Sequence, residues 1–303
     1  MADARTAAPP LLLGDDETAD PHSNREGGWS RLIREPTSVF FLTLFLLLGG
    51  IAVSAPLLGL PDPAHQFIGD ELFPPNAQYW FGTDDFGRDQ VSRVVWGMRL
   101  SLSIGLLAAL AAGTFGIFFG LVQGYYGGWV DDVIGRLWDT LLAFPGLLLG
   151  LAVGIILGEG VHIAAIASCL INMPLISRIT RSGVMVEMER EYTLAARALG
   201  SSTLRVMFRH MLPNIFPVAM VQVTLTVAHA MILEAGLSFL GIGAQPPQPS
   251  LGNMLRDAQS FMSYGVWLSI FPGIALSLLL LLVSYISDAL ADAFDPRRQI
   301  AKE

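Results

Sequence analysis

The sequence predicts an all-α, polytopic membrane protein of six transmembrane helices, and three observations carry that prediction. Hydrophobic residues make up 52% of the 303 residues and mean hydropathy is +0.53, well above the usage of a water-soluble domain. The apolar residues gather into six runs whose lengths approach the roughly 20 residues a helix needs to cross a bilayer core. Between those runs arginine collects on alternate connections, the asymmetry expected of cytosolic loops. Helices are the expected spanning element throughout, because hydrocarbon offers no partners to an exposed backbone.

Residues 1–34 mix Pro, Gly, Asp and Glu with few large apolar side chains, and they are expected to form a disordered cytosolic tail. Residues 35–60 hold the first span, 39–58. The long polar tail ahead of it and the length of its apolar run fit an uncleaved anchor rather than a cleavable signal. A polar, Pro-rich outer segment covers 61–99. Residues 100–290 carry the other five spans, at 100–122, 133–157, 161–177, 215–240 and 266–289, and the polar loop 187–213. Residues 291–303 form a second cytosolic tail. Six spans put both termini on one face with Arg136, the arginines of 178–209, Arg297, Arg298 and Lys302. The other face keeps Arg88, Arg93, Arg99 and Arg256 among carboxylates that include Asp84, Asp85, Asp89 and Asp257.

Several function classes find no support. A net charge of −8 argues against nucleic acid as a partner, since phosphate binding needs clustered cations. The sole lysine, Lys302, excludes a G-x-x-x-x-G-K-[ST] phosphate loop, so the chain is not itself a P-loop ATPase. Cys169 stands alone, so no intrachain disulfide forms. His162, His229 and Cys169 lack metal-ligand spacing, and no Ser-His-Asp or paired-carboxylate set shares an aqueous pocket, so neither a metal site nor an enzyme is expected.

The stretch 190–213 is the one long polar segment held between apolar ones. Glu191 to Leu199 are helix formers, and Gly200 is the residue that most easily closes a helix in the left-handed conformation. Ser201 and Ser202 offer N-caps for a second short helix that Pro213 ends or hands on. Ala195 and Ala196 leave a narrow helix face that another protein can approach closely. Ala195, Ala196, Gly200 and Leu212-Pro213 resemble the "EAA" loop of permease subunits in bacterial ABC importers, with Leu194 where the pattern has Glu and the acid at Glu191 instead. The resemblance implies a coupling helix seated in a groove of an ATP-hydrolysing subunit, with Tyr192 and Arg197 in the docking segment.

A second stretch, Gly82, Thr83, Asp84, Asp85, then Gly87, Arg88 and Asp89, resembles the GTDDxGRD signature of the C-type subunit of dipeptide and oligopeptide permeases. Read as residues, the glycines permit tight turns and Asp84 or Asp85 caps a surface helix over 88–97. The alternative is that this segment touches the binding protein or a peptide's amino terminus. Glu234-Ala235-Gly236-Leu237-Ser238-Phe239-Leu240-Gly241, Gln245-Pro246-Pro247 and Gly252-Asn253-Met254-Leu255 are similar to the same group's loop between its last two spans, and Asp295-Pro296 extends the likeness. The implied assembly contains a second homologous permease subunit, two ATP-binding subunits or a fused one holding ATP-Mg, and an extracytoplasmic binding protein. All sit at a bacterial or archaeal cytoplasmic membrane, with no cofactor bound by this chain. The implied substrate is a di- or oligopeptide, with a nickel chelate, glutathione or another small solute as alternatives; a stand-alone secondary transporter lacks the inverted repeats and coupling charges it would need.

Inside the spans, Gly116, Gly120 and Gly124, and then Gly146, Gly150, Gly154 and Gly158, recur every four residues, a spacing that lets helix backbones approach. Ionisable groups there are Asp139, His229, Glu234, Asp288 and Asp292, and each is a functional suspect in a bilayer. Glu234 lies deepest and is the candidate for lining the pathway, although pairing with a neighbour is as open a reading. Asp139 and Asp288 lie near span ends, where an arginine or water would meet them.

Overall fold

A computed structural model describes residues 36–294, so the expected first tail, 1–34, lies outside the described residues, and of the second only 291–294, at the end of the last helix, lie within them. Nine α-helices are found among the described residues, beside two single 3-10 turns at Ala55–Leu57 and Gln259–Phe261: α1 (Pro36–Val53), α2 (Gln90–Tyr126), α3 (Gly128–Leu142), α4 (Gly146–Leu157), α5 (Val161–Met188), α6 (Glu191–Ala198), α7 (Thr203–Phe239), α8 (Leu251–Ala258) and α9 (Trp267–Phe294). Five are long and apolar enough to cross a membrane alone, and α3 with α4 makes a bent sixth.

The expected third span is the largest departure. The sequence reads as one helix over 133–157, but α3 and α4 meet at 94°. Pro145, extended at ψ 133°, is the N-cap of α4, and it ends α3 because it offers no amide to a helical carbonyl and crowds the helical conformation of the residue before it. Apolar content masks the break because α4 is wholly apolar and α3 keeps an apolar face beside Asp131, Asp132, Arg136 and Asp139.

Three other boundaries move outward. α2 starts at Gln90 rather than 100, because Asp89 caps it and the carboxylate of Asp84 neutralises Arg93, leaving no reason for the polar residues to end the helix. α5 runs past 177 to Met188. Of the two readings of the short helix after Gly200, Pro213 hands it on: it is the start of α7, which continues through Pro213 by way of a wider π turn over Val206–Met211. That turn stands directly ahead of the residue that cannot donate to a carbonyl four positions back.

α2 is the spine of the bundle. A methyl group added at Gly116, Gly120 or Gly124 would come within 2.7 Å of Ile176, 2.5 Å of the Ser177 carbonyl and 2.5 Å of Val184, so the stripe seen in the sequence is the seam with α5. Gly105 and Gly113 approach Val227 and Val223 of α7 in the same way. The α4 stripe is shorter than its spacing suggests: Gly150 and Gly154 meet Leu237 and Ile242, whereas Gly158 (φ +90°) closes the helix and touches nothing. α6 lies at the end of the bundle where Gly124 meets Val184, and α8 at the opposite end, where Gly97 meets Leu251.

Candidate functional site

α6 is built to stand clear of the bundle. Glu191 in its first turn and Arg197 in its last complement the helix dipole. The amides of Gly200 and Ser201 donate to the carbonyls of Arg197 (3.0 Å) and Ala196 (3.0 Å), the paired bonds of a Schellman closure, and Gly200 supplies the left-handed residue it requires (φ +77°). Ala196 and Thr193 face inward, whereas Leu194, Ala195, Arg197 and Leu199 face outward, Leu199 with 87% of its surface open. The paired alanines therefore divide: one seats the helix and the other is presented.

Tyr192 fastens this helix to both neighbours. Its hydroxyl donates to the Glu187 carboxylate at the end of α5 and accepts from Asn214 Nδ2 of α7 at 2.8 Å; partial burial, then the nearby Glu187, raises its pKa. Below it, Val206, Met207, Met211 and Ile215 of α7 pack with Leu121 and Val184, with Leu212 half-buried against the same cluster and Pro213 exposed. Glu191, Tyr192, Ala195, Ala196, Arg197 and Gly200 are thus gathered in one projecting element, and Leu212 and Pro213 belong to the helix that carries it.

At the opposite end the expected cap is corrected. Asp89, not Asp84 or Asp85, caps the helix by accepting from the Ser92 amide at 2.8 Å. Asp84 is almost fully buried and accepts from the amides of Phe86 and Arg88 and from Arg88 Nε at 2.7 Å, with Arg93 Nε 3.2 Å away. Thr83 bonds the Asp70 carbonyl and accepts from the Phe73 amide. Gly82 (φ +77°) and Gly87 (φ +71°) leave no room for a side chain, since a methyl group would meet the carbonyl oxygens of Phe73 at 2.5 Å and Phe67 at 2.3 Å. No surface helix spans 88–97: Arg88 lies in the turn, and its guanidinium is buried against Asp84. The signature is a buried clasp, joined to α9 by the stacked rings of Phe81 and Phe271 (centroids 3.9 Å apart). Asp85 is the part-exposed acid of the group, and burial, then Asp84, raises its pKa.

Comparison with known proteins supplies the family. Residues 116–300 match the family described as binding-protein-dependent transport system inner membrane component. This chain belongs to that family. Among curated relatives, the dipeptide transport system permease protein DppC of Alkalihalophilus pseudofirmus is 42% identical over 259 residues, covering 86% of this chain and 84% of that protein. DppC of Haemophilus influenzae is 37% identical over 286 residues (92% and 97%), and the glutathione transport system permease protein GsiD of Pectobacterium atrosepticum 37% over 270 residues (89% and 90%). A chain from inward-facing conformations of the MetNI methionine ABC transporter superposes with a TM-score of 0.55 at 16% identity, over 68% of this chain and 98% of that one, a likeness of fold.

In this inner membrane component Glu234 does not line an open path. It is fully buried, and its carboxylate accepts hydrogen bonds from Ser101 of α2 (2.8 Å), Ser238 of α7 (2.8 Å) and Ser250, the N-cap of α8 (2.7 Å). Because the Ser250 hydroxyl donates to Glu234, its lone pairs remain free to accept from the Gly252 amide at 3.1 Å. The carboxylate therefore sets where α8 begins, and Gly252 lets α8 approach α7 so closely that a methyl group would lie 2.1 Å from the Ala235 carbonyl.

Asp139 meets Arg178, the arginine contact its place near a span end allowed, whereas other polar ties escaped the sequence reading: Arg181 makes a two-pronged ion pair with Asp131, which also joins α3 to α5. Trp138 Nε1 donates to Gln123 and Ser177 at 3.0 Å each, in a buried knot of α2, α3 and α5. The available signal was two arginines falling just beyond the end expected for the fourth span. Among the described residues no His, Cys, Asp or Glu group could hold a metal ion.

Proposed function

We propose that this chain is the membrane-spanning subunit of an ATP-driven, binding-protein-dependent importer of di- or oligopeptides. It forms half of the translocation path, beside a second homologous permease subunit. The observation that carries the reading is α6: a short, rigidly closed helix fixed to α5 and α7 at once and presenting Leu194, Ala195 and Leu199 outward. Such a helix suits a groove in an ATP-binding partner. Closure of two ATP-binding chains, or of a fused one, on ATP-Mg would press on it from the cytosolic side, with both termini there. An extracytoplasmic binding protein would deliver substrate at the α8 end and supply most of the affinity.

The dipeptide permeases among the relatives support a peptide cargo, and GsiD makes glutathione, itself a small peptide, the second reading. The test is uptake of a labelled dipeptide into proteoliposomes holding the whole transporter, with labelled glutathione as competitor. ATP-dependent dipeptide uptake supports the proposal; uptake by this chain without the ATP-binding subunits would overturn it.

A further inference from the structure

His229 is an exposed imidazole in the middle of a membrane-spanning helix. Its Nδ1 lies 3.2 Å from Oδ1 of the buried Asn172 on α5, and its other ring nitrogen has no partner among the described residues. Asn172 stands about three turns into α5, roughly 16 Å along the helix axis, near the middle of a bilayer core about 30 Å thick. Two turns earlier on the same face of α7, Gln222 is half-buried with its side-chain amide likewise unpartnered among the described residues. The face continues to Val218, which lines an open groove of about 490 Å³ between α5 and α7 that reaches the α6 end at Glu187 and Asn214.

Polar nitrogens at this depth are strongly disfavoured against hydrocarbon unless something bonds them. Exposed positions on the outward side of α2 show the contrast: Leu106, Leu107, Leu110, Phe115 and Phe118 are apolar, and Thr114 there bonds back to its own helix. We propose that the α5–α7 face with Asn172, Gln222 and His229 is the wall of the water-filled translocation path, and that Gln222 and His229 are stepping contacts for the amide and carbonyl groups of a peptide backbone. The chemistry fits. With Nδ1–H donating to Asn172, Nε2 is an acceptor for a peptide N–H, while the glutamine amide can both donate and accept. The side chains are spaced along the path rather than gathered in a cup, so they ease passage without trapping the cargo. This inference rests on the importer reading above.

The test uses the complete transporter with Cys169→Ser and single cysteines at His229, Gln222 and, for comparison, Leu110. Labelling by a charged, membrane-impermeant thiol reagent is expected to be at least tenfold faster at 229 and 222 than at 110, and to slow when dipeptide is present under turnover. Equal, slow labelling at 229, 222 and 110 would overturn the wall assignment, placing the face against lipid or another subunit. In parallel, His229→Gln is expected to keep the dipeptide KM while His229→Leu raises it several-fold; an unchanged KM in the leucine variant would remove the contact role. Dipeptide uptake by the unsubstituted complex reports separately on the importer reading, so a loss there is not confused with a failure of labelling.

Discussion

Gly200 isolates one physical quantity at the α6 end. A methyl group added there meets nothing within 4 Å, so substitution brings no clash and only the left-handed backbone (φ +77°) resists it. An ordinary L-residue in that conformation costs about 1–2 kcal/mol, asparagine less, and a β-branched residue more. Since about 1.4 kcal/mol is a factor of ten in an equilibrium, Gly200→Ala should reduce the closed form of the α6 terminus several-fold to about thirty-fold relative to its opened forms. Gly200→Val should largely abolish it, and Gly200→Asn should stay near the parent. Opening releases the Ser201-to-Ala196 and Gly200-to-Arg197 bonds, so α6, the helix proposed to receive the push, loses its fixed end. The measurement is dipeptide uptake per ATP hydrolysed in the reconstituted transporter, with membrane insertion checked by yield. Coupling should fall in the order Gly, Asn, Ala, Val. Asn and Val variants that behave alike would refute the account, because space cannot distinguish them.

Three further outcomes are expected. Glu234→Ala leaves three serine hydroxyls facing a dry cavity, each orphaned group costing about 1–3 kcal/mol; the melting temperature should drop, and hydrogen exchange should rise across 250–258, with unchanged exchange there contradicting the anchoring role. Gly120→Ala would place a methyl 2.5 Å from the Ser177 carbonyl and destabilise by about 1–3 kcal/mol. Gly135→Ala, with nothing nearer than 4.0 Å, should stabilise by up to about 1 kcal/mol, and thermal unfolding in detergent compares the pair. Burial raises the pKa of Asp89, so the native state holds that proton more tightly than the unfolded chain; this group adds stability as pH falls towards the ordinary aspartate range and loses it as pH rises through the raised value. Asp89→Asn keeps a cap without the buried charge, so its advantage over the parent in melting temperature should be largest at pH 7 and shrink by pH 4.5.

How much of this was legible in the sequence depended on whether a local rule or a distant partner decided the outcome. The closure at Gly200 was legible because a helix end is settled by a few adjacent residues. The α2 glycine stripe was legible as a close-packing surface, but not its partner, since nothing in Gly116, Gly120 or Gly124 names α5. Asp84 was misread as a cap because its guanidinium partners, Arg88 and Arg93, become partners only after the turn closes around Phe67 and Phe73. Glu234 stayed open between lining a pathway and pairing with a neighbour for the same reason: Ser101, one of the partners it bonds, lies 133 residues away. The bend before Pro145 was within reach, as a proline followed by glycine marks a break, yet the hydrophobic run on either side outweighed it.

The way force could pass through this bundle follows from where the ties lie. α6 is separated from α5 by two residues and leads through the Gly200 turn into α7, and Tyr192 bonds to both of those helices, so a push on α6 loads the two together. Both are then seated on α2, α5 through Gly116, Gly120 and Gly124, and α7 through Gly105 and Gly113. Bending one helix away from the others would open contacts at several levels of these seams, each with dispersion and burial to lose, whereas turning the trio as a body opens none of them. α2 in turn carries Arg93, paired with the buried Asp84, and Ser101, bonded to Glu234, at its far half, so a rotation of the trio would bear on α8 through the Glu234–Ser250 bond. The joints available to yield lie outside the trio: the positive-φ pair Gly127 and Gly128, with open space around both, and the extended Pro145, which bracket α3. α3 is held to α5 by the Asp131–Arg181 and Asp139–Arg178 pairs, both open to solvent in part, and these are the ties that yield at low cost, while the buried Trp138, bonded to Gln123 and Ser177, keeps α3 anchored to α2 and α5.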